Sequence, residues 1–278
     1  MRTVLFTKMF KGHGIETVAE QTSRLGFDGT DLLIRDGFHV EPNHPGGIGP
    51  AVARLADAGL SVPMATTDLT RADGAGTERL FVAIREAGIS VVRLGYWPYR
   101  PEQGYRTLFE QARYDLDGLE RLARQTDLKL AIQLHGGTLH GSGAQTLALL
   151  EGHDPRYISA YPDPGNQTVQ DGREDWRFTF DVLGPWLSCV GVKNGGWFPH
   201  ELAESGQRRW HSDWLGLADG MVPWDEIVAH LKATGFDGLL TLHSHYEVPF
   251  DSAIAQTHAD MVYLKRLLGA GVTEPLPI

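Results

Sequence analysis

Short apolar runs alternate with helix-like stretches along the whole of this chain, and that alternation constrains its fold more than any other feature. The runs Thr3–Phe10, Phe27–Arg35, Leu60–Thr67, Ile89–Trp97, Leu128–Leu134, Tyr157–Tyr161, Leu187–Asn194 and Gly238–Tyr246 have strand length. Segments with apolar residues at helical spacing separate them, the longest being Tyr105–Thr126. A strand, a helix and a second strand form a βαβ unit, which makes the strands parallel. Gly26, Gly59, Gly88 and Gly235 follow the helical stretches, where a helix end favours a left-handed residue. Eight such units in 278 residues predict an α/β chain closed into a single (β/α)8 barrel, the TIM-barrel arrangement, with residues 1–278 as one domain. An open doubly wound sheet has about six strands and fits the count less well.

Composition narrows the function classes. A formal charge of −10 and a pI near 5.6 disfavour nucleic acid as a partner, because its phosphates need basic surface. No apolar run reaches the roughly 18 residues of a membrane helix, and the N-terminal stretch MRTVLFTKMFKGHG lacks the pattern of a signal peptide. The single cysteine, Cys189, sits in the apolar run WLSCVGV. It reads as a buried, inert thiol, and a chain without an internal disulfide fits a reducing cytoplasm. Neither a GxGxxG after the first strand nor a GxxxxGK[ST] is present, so no nucleotide cofactor is expected.

Chemistry in a parallel barrel is built at the carboxyl ends of the strands. Leu128–Leu134 ends in Gln133, His135 and a Gly-Gly pair, and Tyr157–Tyr161 is followed by Asp163, Gly165 and Asn166. Lys193 closes the seventh run, and a lysine at the end of an otherwise apolar strand must be paired or functional. Lys8, Arg35 and Arg93 stand at other strand ends, with His39 in the loop beyond the second. Cations gathered there in an acidic chain suggest a substrate carrying a carboxylate or phosphate, although each alone is read more simply as a salt bridge. The eighth run ends in His243, His245 and Glu247, on one face by the strand period of two. Two long loops, Asp36–Gly49 and Gly195–Met221, are candidate substrate walls; the second carries Trp197, Trp210 and Trp214. Packing of those tryptophans onto the barrel, or a subunit contact, is the competing reading. The histidines elsewhere (His13, His44, His140, His153, His200, His230 and His258) are expected at the surface or at helix caps.

The segments RLGFDGTDLLIR, VVRLGYW, AIQLHGG, YPDPGN, VGVKN and GFDGLLTLHSHYE, in that order, resemble the xylose-isomerase-like barrels, the sugar phosphate isomerase/epimerase group. The resemblance runs over almost the whole chain. It implies a divalent metal (Mn, Mg or Zn) held by Glu, Asp, His and Glu at the ends of strands five to eight, with acid/base groups beside it. Carried over position by position, Gln133 stands for the first Glu, Asp163 is kept, Gly191 falls at the His position and His243 at the last Glu. The implied ligand set is therefore Asp163, His243 and Gln133, one of them weak, with a fourth absent.

The expected activity is that of a carbohydrate isomerase or epimerase, moving a proton next to a carbonyl on a sugar, sugar phosphate or sugar acid. Lys193, His243 and His135 are the candidate acid/base groups. Lys8, Arg35, His39, Arg93, Asn166, Trp197, His245 and Glu247 are candidate substrate contacts. A lyase or dehydratase working through the same enediolate, or a barrel that binds a sugar without turning it over, are the alternatives. The expected partner is a small carbohydrate-like molecule with an anionic group, and many barrels of this type also form homo-oligomers.

Overall fold

In the computed structural model of the protein, residues 1–170 and 174–269 are described. Eight of the strands are parallel and form one sheet: β1 (Arg2–Phe6), β2 (Gly29–Leu33), β3 (Ser61–Thr66), β4 (Val91–Arg93), β5 (Lys129–Gln133), β6 (Ile158–Tyr161), β7 (Cys189–Val192) and β10 (Leu239–Leu242). The order runs β6-β5-β4-β3-β2-β1-β10-β7, so the first and last barrel strands pair, Val4 opposite Thr241. The seam between β6 and β7 is closed by backbone bonds from Ser188 N to Ala160 O (3.2 Å) and from Gly191 N to Pro162 O (2.8 Å). The sheet is thus a (β/α)8 barrel, as the alternation predicts.

The strands are buried almost throughout because helices cover their outer face and side chains fill the inside. Inside, Met64, Ala131, Tyr161, Cys189 and Leu239 form a small separate cluster. The Sγ of Cys189 lies 3.9 Å from the Sδ of Met64 on a strand that is not its neighbour, so that contact crosses the barrel. Burial pushes the Cys189 thiol up to about 12, which leaves it unreactive.

The covering helices are α1 (Ile15–Arg24), α2 (Ile48–Asp57), α3 (Ala75–Glu86), α4 (Tyr105–Thr126), α5 (Gly143–Leu150), α7 (Trp176–Leu183), α8 (Trp224–Ala233) and α9 (Phe250–Leu268). Gly26, Gly59, Gly88 and Gly235 follow helices with φ of 78°, 78°, 81° and 70°, a conformation strained for any residue with a Cβ.

The strands are shorter than the apolar runs that predict them, and the structure departs from the sequence reading in four further places. The first strand stops at Phe6 and turns into one 3-10 turn, Thr7–Phe10, which carries Lys8. A short helix, α6 (Pro164–Val169), follows directly on Asp163, whose side chain accepts from Asn166 N. The stretch expected as a long loop from Gly195 is largely an antiparallel hairpin, β8 (Asn194–Leu202) with β9 (Arg208–Leu215). His140 and His153 are buried, where surface positions were expected. Hydrogen bonds compensate both: His140 Nδ1 to Gln133 O at 2.9 Å, and His153 Nδ1 to Glu120 Oε2 at 2.7 Å. Burial lowers His140 to about 3, so it is a neutral structural group.

Candidate active site

A cavity of about 280 Å³ opens at the carboxyl ends of the strands. Four cationic side chains line it: Lys8, Arg35, Arg93 and Lys193. Three histidines, His135, His243 and His245, face it from β5 and β10, joined by Gln133, Asn166 and Gln170. Phe6, Tyr96 and Trp214 complete the wall. No aspartate or glutamate is among the lining residues.

The floor is a hydrogen-bonded chain of buried groups. Asp163, fully buried, accepts from Asn166 N at 2.8 Å on one oxygen. Its other oxygen accepts from Gln133 Nε2 at 2.7 Å and meets Lys193 Nζ at 3.1 Å. Gln133 turns its Oε1 the other way, to Arg93 at 2.8 Å and to the Tyr96 hydroxyl at 2.9 Å. Lys193 is 4% exposed, and its ammonium sits 4.7 Å from the Trp214 ring centroid, so hairpin β8–β9 roofs it with a cation–π contact. Burial lowers the Lys193 pKa, with Asp163 opposing the shift.

Two glycines make this ion pair possible. A Cβ on Gly191 would lie 2.6 Å from Asp163 Oδ2, and one on Gly165 would lie 2.5 Å from Lys193 Cγ. The carboxylate leans over the first glycine and the lysine stem over the second. Gly191, which in the sequence is a missing ligand, is in three dimensions the space that Asp163 fills.

The histidines differ in their engagement. The ring of His243 meets the Tyr161 hydroxyl through Nε2 at 2.8 Å, and its Nδ1 is buried without a partner. His135 donates from Nδ1 to Gly136 O at 2.9 Å and meets Gln170 through Nε2 at 3.2 Å. His245 makes no hydrogen bond among the described residues and stacks 5.4 Å from His243. Burial first, then neighbouring cations including Lys193, lower His243 and His245 well below the ordinary histidine range. His135 is lowered as well, again chiefly by burial. All three are therefore neutral imidazoles at neutral pH.

Three buried polar atoms of lining residues have no partner among the described residues: Arg93 Nε, Asn166 Oδ1 and His243 Nδ1. Each would cost about 1–3 kcal/mol if left unmet, and all three belong to side chains of the cavity wall.

The other candidate residues are placed as follows. Arg35 lines the cavity but forms a two-pronged pair with Asp68, whereas Lys8 and Arg93 pair with no carboxylate among the described residues. Lys8 is shifted down by burial and by the two arginines. Glu247 lines a neighbouring cavity of about 540 Å³ that shares Lys8, Trp214 and His245 with the first. His39 bonds to His13 O, and Trp197 donates from Nε1 to Thr168 O at 2.6 Å; neither lines the cavity. Tyr96, Gln170 and Phe6 were not expected there. Tyr96 and Phe6 stand at or just past strand ends, which is the signal that could have found them, but Gln170 comes from the segment after α6 and carries none.

The implied metal set does not fit a divalent ion. Such ions need several oxygen or nitrogen donors at about 2.0–2.6 Å. Asp163 is already saturated by three donors, one an ammonium; Gln133 presents its N–H₂ to Asp163; His243 Nε2 is engaged by Tyr161. Among the described residues no group of three or more His, Cys, Asp or Glu side chains is placed to hold a metal.

Comparison with known proteins agrees with the fold. Among curated proteins none matches the sequence. A putative xylose isomerase from Rhodospirillum rubrum superposes with a TM-score of 0.74 at 13% identity, covering 98% of this chain and 99% of the other. An L-ribulose 3-epimerase superposes with a TM-score of 0.70 at 17% identity, covering 99% of each. A xylose isomerase-like barrel from Mycobacterium smegmatis, solved in complex with magnesium, reaches 0.69 at 16% identity over 96% of each chain. At these identities the superpositions speak for the fold. The family description "Xylose isomerase-like TIM barrel" matches residues 19–267, nearly nine-tenths of the sequence, and the chain belongs to that family.

Proposed function

We propose that the protein is an isomerase or epimerase that moves a proton next to the carbonyl of a small anionic sugar derivative. The carrying observation is the cavity lining itself: neutral imidazoles with four cations and no carboxylate among them, Lys8 and Arg93 pairing with no carboxylate among the described residues. The imidazoles and the Asn166 and Gln170 amides of the wall suit hydroxyl groups, which both donate and accept. Lys8 and Arg93 suit a carboxylate or phosphate.

His245 is the base in this reading. Its ring is neutral, reaches the cavity and is committed to no protein group, whereas His243 is tied to Tyr161. It takes the proton from the carbon beside the carbonyl, and the negative charge moves onto the carbonyl oxygen. Lys193 has three N–H donors, of which Asp163 takes one, and it stabilises that oxygen as an enediolate forms. Return of the proton from the His245 imidazolium to the neighbouring carbon, with the hydroxyl proton passing from one enediolate oxygen to the other, gives an isomer. Delivery of a proton from water to the opposite face of the first carbon, with His245 releasing its own proton to solvent, gives an epimer. A single buried thiol and the absence of disulfide partners suit work in the cytoplasm.

The test is deuterium exchange. The purified chain is incubated in D₂O with a panel of ketoses, sugar phosphates and sugar acids, and the carbon next to the carbonyl is followed by NMR. Exchange with at least one member, lost in His245→Ala, is expected. A panel member that raises the melting temperature without exchanging would instead make this a sugar-binding barrel, and a dehydrated product would make it a lyase.

A further inference from the structure

We propose that the Lys193 ammonium occupies the place of a divalent cation in this barrel, and that its packing against Asp163 excludes a metal ion from the site. The inference goes beyond the proposed reaction and stands whether or not that reaction is the one catalysed.

The steric argument comes first. Asp163-x-Gly165 and Gly191-x-Lys193 form reciprocal halves of one device: each charged side chain lies over the glycine of the other half. A ligating side chain at position 191 would have to begin with a Cβ at 2.6 Å from Asp163 Oδ2 and 2.7 Å from its Cγ, inside any allowed contact. The ion pair and a metal ligand at 191 are mutually exclusive.

The donor argument is independent of it. To offer its oxygen toward Asp163, Gln133 would have to turn its amide over. That would set its N–H₂ against the Arg93 guanidinium and the Tyr96 hydroxyl, which now donate to Oε1. A cation within about 2.6 Å of Asp163 Oδ2 would also sit close to an ammonium 3.1 Å from the same atom. Two further positive charges would enter a cavity lined by four cations and no carboxylate. The fixed charge is therefore single and covalently tethered. It offers hydrogen bonds to a substrate oxygen in place of bidentate coordination.

Mn²⁺ is the probe, read by the loss of its free-ion EPR signal. The natural chain should leave the signal unchanged, and stoichiometric uptake overturns the proposal. The double variant Gln133→Glu/Lys193→Ala supplies a second carboxylate and removes the ammonium, and it should acquire a Mn²⁺ site. A folded double variant that takes up no Mn²⁺ overturns the assignment of the ammonium to the cation position. Should that variant fail to fold, the titration of the natural chain decides by itself. Deuterium exchange is a separate readout: a chain that exchanges and also binds Mn²⁺ sinks the ammonium and leaves the reaction standing.

Discussion

Substituting Gly191 by alanine probes the ion pair through a single carbon atom. Its Cβ would stand 2.6 Å from Asp163 Oδ2, where ordinary contact begins at 3.4 Å, so the carboxylate would have to retreat by about 0.8 Å. Asp163 has no free direction, since three donors hold it and it is fully buried. Overpacking of this kind costs about 1–3 kcal/mol, and outright loss of a buried ion pair about 3–5 kcal/mol. A partial retreat lies between, and we expect a loss of about 2–4 kcal/mol in urea unfolding with the slope unchanged. Gly46→Ala, at a surface turn with nothing within reach of the new carbon, is the control and should move stability by no more than about 0.5 kcal/mol. In an Asp163→Ala background the increment from Gly191→Ala should shrink without vanishing, because the two Cβ atoms would still be 3.1 Å apart. A Gly191→Ala variant as stable as the natural chain would refute the claim that Asp163 fills this space.

Three other outcomes follow from the same geometry. Asp31, fully buried and hydrogen-bonded by Thr66, has its carboxyl raised by burial from 3.8 to about 6, so its folded state favours the protonated form. That contribution is present below pH 3.8 and lost as pH rises through about 6; Asp31→Asn should therefore gain up to roughly 3 kcal/mol over the natural chain at pH 8 and nothing near pH 4, by urea melts. The pH profile of kcat/KM should have its acid limb below 6.5, because all three imidazoles are lowered from that value, and its alkaline limb below 10.5, because Lys193 is lowered; an acid inflection above 6.5 would remove the histidines as bases. Lys193→Met should lower kcat by about 10²–10³-fold, the loss typical of removing one oxyanion donor, and retained activity would take Lys193 out of the mechanism.

Much of this architecture is legible in the sequence because its causes are local. Strand-length apolar runs and glycines at helix ends act within a few residues, and Lys193 stands out as the charge that ends an apolar strand. The rest depends on proximity that sequence spacing does not carry. Gly191 reads as the loss of a ligand until Asp163, 28 positions earlier, is found above it. Tyr96 and Gln170 join the cavity through a loop and the segment after a short helix, neither of which has a periodicity to follow, whereas Trp214 belongs to a stretch that the sequence already marks as a candidate substrate wall. His39 and Trp197 fail to reach it for the opposite reason: backbone carbonyls, of His13 and Thr168, capture their ring nitrogens first.

The hairpin β8–β9 imposes an asymmetry on how this chain can change over evolution. Its base, buried on β8 and half-buried on β9, pairs Asn194 with Leu215 and Gly195 with Trp214, while its outer part, from about Phe198 to His211, stands in solvent. Insertions or deletions in the tip between Leu202 and Arg208 leave the base alone. A single residue gained or lost between Asn194 and Trp214 on one strand shifts the pairing by one, and with a period of two that turns the indole of Trp214 away from Lys193. Length variation in related chains should therefore collect at the tip, and changes within the strands should come as compensating pairs.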